Sequence, residues 1–158
     1  AEKLGLAKAT EFTKERIDLI NVKTLLRVRS QDESFEEFKH AFIEGGYIDL
    51  AKFEDLFNDP VNSIVVKLSS ERINKYLVNT LDSEKSMDEN LLDLEKAIDD
   101  HFMDYSREAK SATYGPEILI NYVISKETEV KNLRIIFVSK LNNLSKEFTS
   151  ERLRETYA

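Results

Sequence analysis

Residues 17–27 read Ile17-Asp18-Leu19-Ile20-Asn21-Val22-Lys23-Thr24-Leu25-Leu26-Arg27. Leu19, Val22, Leu25 and Leu26 recur at the three- and four-residue steps that put side chains on one face of an α-helix, and Phe12 extends the stripe backwards. The spacing predicts one long helix from about Lys3 to Val28, closed by the polar cluster Ser30 to Ser34. Strand alternation is not sustained anywhere in the sequence. With 4 Gly and 2 Pro in 158 residues there is little material for the many turns of an all-β fold. The expected class is all-α: repeated long amphipathic helices with short helices between them.

Outward from that stretch, Ser34 and Glu37 have the spacing of a capping box that opens a short helix. This helix carries Phe35, Phe38, Phe42 and Ile43 and is expected to stop at Gly45-Gly46, where glycine tolerates left-handed dihedrals. Asp49 caps a helix bearing Leu50, Phe53, Leu56 and Phe57. Asn58-Asp59-Pro60 ends it and places Pro60 at the first position of the next. That pattern runs through Ile64, Leu68, Ile73 and Leu77. Residues 81–87 read as a polar connection. A helix follows from about Asp88 to Lys110, with Leu91, Leu94, Ala97, Ile98, Phe102 and Tyr105 inward. Tyr114-Gly115-Pro116 is the clearest break, before a long helix to about Leu141 and a short one near Ser145 to Arg154.

A shift of 111 residues lays the two long helices over each other. Asn21 falls on Asn132, Phe12 on Val123, Leu19 on Val130, Val22 on Leu133, Leu25 on Ile136 and Leu26 on Phe137. Asp18 meets Glu129, Lys23 meets Arg134, and Arg29 meets Lys140. The stripe alone is common to any two amphipathic helices; an Asn and three charges in the same register are more specific. Each Asn sits at the edge of its stripe. There its amide can bond a neighbouring helix or loop, or meet a partner protein, and a partly buried amide tends to fix one register. The expectation is a single helical region, 1–158, with two related repeats, about 1–82 and 83–158.

Charge and composition narrow the function. The net charge of −7 is unlike the basic face of a nucleic-acid binder. Residues 82–110 hold ten acids and four bases, whereas residues 125–158 hold seven bases and five acids. Such asymmetry can orient docking, although a solvated acidic helix face is the plainer reading. The sequence has no Cys, so disulfides and thiolate metal sites are excluded. No apolar run approaches the roughly 20 residues needed to span a bilayer, and no signal peptide is visible.

Enzyme readings fare poorly. Glu37-Phe38-Lys39-His40 has the Glu-x-x-His spacing of di-metal carboxylate bundles, but the other His, His101, is preceded at that spacing by Ile98, so the second pair is missing. Asp99, Asp100 and Asp104 beside His101 point in different directions around a helix and are expected to be solvated. Neither a phosphate-binding Gly-x-x-x-x-Gly-Lys-Ser/Thr loop nor a Gly-x-Ser-x-Gly elbow is present. Gly45-Gly46 is too short to cradle phosphate. No catalytic residue, cofactor or metal is expected.

Four stretches carry a family resemblance. They are Ile17 to Arg27 with the Gly45-Gly46 turn; Leu94-Glu95-Lys96-Ala97-Ile98-Asp99; Gly115-Pro116-Glu117 leading through Tyr122 to Lys126–Ile136; and Lys140-Leu141-Asn142 with Arg152-Leu153-Arg154. In order and spacing they resemble the C subunit of the archaeal and bacterial A/V-type ATPases, which is the d subunit family of eukaryotic V-ATPases. The resemblance implies a three-repeat helical funnel, of which this chain matches the C-terminal portion. It also implies a non-catalytic central-stalk adaptor on the cytoplasmic face of the membrane, joining the central stalk to the proteolipid ring for coupled proton or sodium transport. Asn21, Lys23, Arg27, Gly45, Gly46, Asn132, Arg134 and Lys140 are the candidate structural or interaction positions. Val138 stands where the shift would put a counterpart of Arg27, which departs from a role common to all repeats. If the chain is one portion of a longer protein, surfaces that pack on the rest are expected to be exposed and to promote self-association. The alternative reading is a generic cytosolic helical scaffold.

Overall fold

A computed structural model describes the backbone of residues 2–109 and 116–154, and the side chains of residues 7–107 and 118–154. It contains α1 (Glu2–Ser30), α2 (Phe35–Ala41), α3 (Leu50–Leu56), α4 (Val61–Lys67), α5 (Asn74–Leu77), α6 (Met87–Ala109), α7 (Pro116–Leu141) and α8 (Lys146–Arg152). The described residues form helices and turns without a strand, so the all-α class holds. The expected break at Tyr114-Gly115-Pro116 lies outside the described residues, save that α7 begins at Pro116.

Two compact units divide the chain. One comprises residues 8–98; the other comprises residues 1–7 with 99–158. In the first, Leu19, Val22, Leu25 and Leu26 of α1 are completely buried, as are Phe38, Phe53, Leu56, Ile64, Leu68, Leu77 and Leu94. An aromatic cluster fills part of this core: the Phe38 ring lies 5.4 Å from Phe53, and Phe42 meets Phe53 edge-on at 5.6 Å. In the second, Phe102, Met103, Tyr105 and Ile124 are buried. There Ser106 on α6 donates its hydroxyl to the Asn121 side-chain oxygen on α7.

Several local expectations are corrected. Ser34 is the N-cap of α2 with an extended backbone, but its side chain makes no capping bond, so the box with Glu37 does not form. A capping box is found instead at α6: the Ser86 amide donates to Glu89 at 2.8 Å and the Glu89 amide donates to Ser86 Oγ at 3.2 Å. The sequence Ser86-Met87-Asp88-Glu89 carries that signature across the boundary between the assigned polar connection and the helix expected from about Asp88. Pro60 stands one place earlier than expected, as the N-cap of α4, because its ψ of 149° is extended and not helical. The helical pattern from Ile64 to Leu77 splits into α4 and α5. Ser69 and Ser70 lie in the gap, and serine hydroxyls compete with the helical backbone for hydrogen bonds. Asp49 caps α3 as expected, accepting from the Lys52 amide at 2.9 Å.

Gly45-Gly46 does not stop α2. The helix ends at Ala41, and Phe42 turns extended with ψ 132°. The glycines serve the approach of the following loop to α1. Gly45 has φ +100°, and a Cβ on Gly46 would collide with the Asp18 carboxylate.

Candidate functional site

The polar side chains that organise each unit grip backbone. Asn21, completely buried on α1, donates from Nδ2 to the Ile43 carbonyl at 2.8 Å and accepts from the Ile43 amide at 3.0 Å. One side chain thus satisfies both polar groups of a single residue just past α2. Asn132 on α7 does the same 22 residues downstream. It donates to the Arg154 carbonyl at 2.9 Å and accepts from the Arg154 amide at 2.9 Å, just past α8.

The local frame around the two clamps matches as well. Beyond α1 the chain turns through Asp32 at φ 54°; beyond α7 it turns through Asn143 at φ 52°. Asp and Asn are the non-glycine residues that best tolerate this left-handed conformation. The Glu33 amide then donates back to the Val28 carbonyl at 3.1 Å, and the Leu144 amide to the Ser139 carbonyl at 2.9 Å. These long return bonds cap the helix C-termini in Schellman fashion. Ser34 and Ser145 follow as extended N-caps of α2 and α8, each a seven-residue helix.

Differences are concentrated around the clamps. Asp18, 1% exposed, receives the amides of Tyr47 at 3.0 Å and Ile48 at 3.1 Å. Burial raises its pKa above the usual carboxylate value, while those two amide bonds pull it down. Glu129 instead pairs with Lys126 on the exposed surface at 2.8 Å. In the first unit Lys23 and Arg27 both reach Glu95 of α6, each at 3.4 Å. In the second unit Asp99 of α6 joins Lys131 at 2.5 Å and Arg154 at 2.5 Å, with the Asp99 and Arg154 side chains only 9% and 12% exposed.

The expected solvation of the acids at residues 99–104 is therefore wrong for Asp99, and His101 beside it is also buried. Helix α6 packs on the side that carries them, and two cations there compensate the Asp99 carboxylate for its lost water. The signal available in sequence was Asp99 one residue beyond the buried Ala97-Ile98 edge; its basic partners stand 32 and 55 residues away and leave no local trace. His40 lies exposed on α2. Among the described residues, no group of three His, Cys, Asp or Glu side chains is arranged to hold a metal ion.

The candidate positions thus separate into two sets. Asn21, Gly45 and Gly46 meet around the loop after α2, Lys23 and Arg27 share one acid, and Asn132 holds the end of α8. Arg134 and Lys140 are exposed, and neither forms an ion pair with a described residue. Sequence reasoning missed Glu95, Asp99 and Arg154 as pairing partners. No described helix is long and apolar enough to cross a membrane.

Fold and site together define an all-helical packing protein in which buried Asn side chains fix the backbone just past the short helices α2 and α8. Residues 1–152 match the family model described as ATP synthase (C/AC39) subunit. The chain belongs to this family. It is similar to the C subunit of the A-type ATP synthase of Methanococcoides burtonii, 26% identical over 151 residues, covering 91% of this chain and 40% of the relative. It is also similar to the C subunit of the A-type ATP synthase of Methanobrevibacter smithii, 29% identical over 133 residues, covering 79% and 33%. The C subunit of the V-type sodium ATPase of Enterococcus hirae is 27% identical over 156 residues, covering 99% and 47%. The chain spans less than half the length of these curated relatives. No solved structure matches it.

Proposed function

We propose that the chain serves in a central-stalk adaptor of a rotary A/V-type ATPase. The adaptor joins the rotor stalk to the membrane proteolipid ring and passes rotation between ATP chemistry and proton or sodium transport. The observation that carries this reading is the family match over residues 1–152, supported by relatives named as A-type ATP synthase and V-type sodium ATPase subunits. Paired clamps that lock short helices to long ones suit a part that must carry torque without yielding. On this reading the adaptor sits peripherally on the cytoplasmic face, held through its partner subunits, and needs no cofactor or nucleic acid.

The organisation proposed with it is two related repeats, about 1–82 and 83–158, within a three-repeat funnel. Asn21 and Asn132 hold the short helices, Gly45 and Gly46 admit the loop to Asp18, and Lys23 and Arg27 anchor α6. Arg134 and Lys140 are the interaction positions facing outward. Co-purification of the full-length adaptor with the central-stalk subunits and with the proteolipid ring in detergent tests the reading. Binding to both is expected. Failure to bind either one contradicts the adaptor role and leaves a general helical scaffold.

A further inference from the structure

The apolar stripe of α7 is open, whereas the stripe of α1 is closed. Val123, Val130, Leu133 and Phe137 are 48%, 56%, 54% and 63% exposed, while Phe12, Leu19, Val22 and Leu26 are 6% exposed or less. Val123, Val130, Leu133 and Phe137 fall on one helical face. Lys126 and Arg134 flank it at the adjacent i+3 and i+4 positions. Several large apolar side chains in one row, rimmed by charge, mark a docking surface.

The first unit indicates what such a face accepts. There α6 brings Leu94, completely buried, and Ile98, 7% exposed, into the core that covers α1. On the same helix Glu95 lies between the cations Lys23 and Arg27. Position 134 stands on α7 where Lys23 stands on α1, and it holds an exposed Arg with no ion pair among the described residues. Val138 stands in the place of Arg27, so a single cation remains there for an incoming acid. Arginine suits that duty because its planar fork binds a carboxylate through two parallel hydrogen bonds.

We infer that the α7 face is the docking site for an acidic amphipathic helix that carries a Leu-Glu-x-x-Ile pattern like Leu94-Glu95-Lys96-Ala97-Ile98. The apolar residues of that helix cover Val130, Leu133 and Phe137, and its Glu pairs with Arg134. The stripe supplies the affinity and the ion pair sets the register, since charge pairing governs orientation more than strength. This inference rests on the chain's own geometry and stands independently of the rotary reading.

The test uses a fluorophore-labelled synthetic peptide with the sequence of residues 87–109, titrated with the 158-residue chain and followed by anisotropy. Saturable binding is expected, weakened by about tenfold or more by Arg134→Glu or by Phe137→Asp. Both residues are exposed, so these variants keep the fold, and circular dichroism checks that they do. A peptide carrying Glu95→Lys should regain affinity for the Arg134→Glu chain, and Lys52→Glu should leave binding of the original peptide unchanged. Four results overturn the inference. They are no saturable binding; binding indifferent to Arg134→Glu; binding lost only with Lys23→Glu, which shows the peptide replacing the chain's own α6; and a dimer by light scattering that Phe137→Asp dissolves, which makes a second copy the occupant.

Discussion

Leu26 on α1 and Phe137 on α7 stand 111 residues apart, on helices that end in the same left-handed turn and clamp the same kind of loop. Leu26 is completely buried and Phe137 is 63% exposed. The clamp therefore forms whether or not the stripe beside it is covered. Turn, N-cap and Asn clamp are a local device, complete within about two dozen residues. Covering the stripe is a separate task, and in the first unit it belongs to the elements that follow the clamp.

The sharpest way to break the comparison is to truncate the two stripes in turn. Leu26→Ala should destabilise the first unit by about 3 kcal/mol, the usual range for emptying a fully buried leucine site. Phe137→Ala should change stability by less than about 0.5 kcal/mol, as exposed substitutions do. Urea denaturation followed by circular dichroism measures both. A large loss from Phe137→Ala would mean that the face is already occupied in the free chain.

The clamps come next. Asn21→Ala leaves the amide and carbonyl of Ile43 without their partner beside a closed core, and should cost about 2 kcal/mol. Asn132→Ala should cost about 1 kcal/mol, because Asn132 is 7% exposed and its site less closed than that of the fully buried Asn21. Gly46→Ala tests the same loop by displacing the Asp18 carboxylate, and its loss should fall between those two values in the same denaturation series.

Asp99→Asn sharpens the contrast in a different way. It should cost about 1–2 kcal/mol, since the cations Lys131 and Arg154 lose their counter-charge and Lys131 can turn to solvent. Because Asp99 and Arg154 are nearly buried, added salt should diminish that difference only slightly. Glu95→Gln, whose partners Lys23 and Arg27 are more exposed, should cost less and respond more to salt.

The smallest expected effect is one of pH. Burial raises the folded-state pKa of Asp18 above its unfolded value, so the folded chain takes up that proton first as pH falls. From this group alone, stability is lower above the folded pKa and rises as pH falls toward the ordinary carboxylate range. The wild type's stability relative to Asp18→Asn should therefore improve as pH is lowered through that window. A relative loss on acidification would show that the Tyr47 and Ile48 amides outweigh burial.

Much of this was legible in the sequence. The three- and four-residue spacing marked α1 and α7, the shared Asn stood out under the 111-residue shift, and Asp49 announced its own cap. The grip of each Asn on a residue 22 positions later was not legible, because an amide at the edge of a stripe has many possible partners. Nor was the purpose of Gly45-Gly46. Glycine pairs usually read as helix stops, whereas this one admits a loop to a buried carboxylate on a different helix. Asp99 was misread for the same reason: its partners lie in distant segments. Identical periodicity on α1 and α7 also concealed their different burial, since period reports a face and not what covers it.

Amide hydrogen exchange at Ile43 and Arg154, read residue by residue by NMR, tests most directly whether one clamp is built twice. Both amides should exchange far more slowly than the exposed, uncapped amides near them, and each should lose its protection when its own Asn is replaced by Ala. Fast exchange at either amide in the unaltered chain, or protection that survives loss of the Asn, would contradict the account.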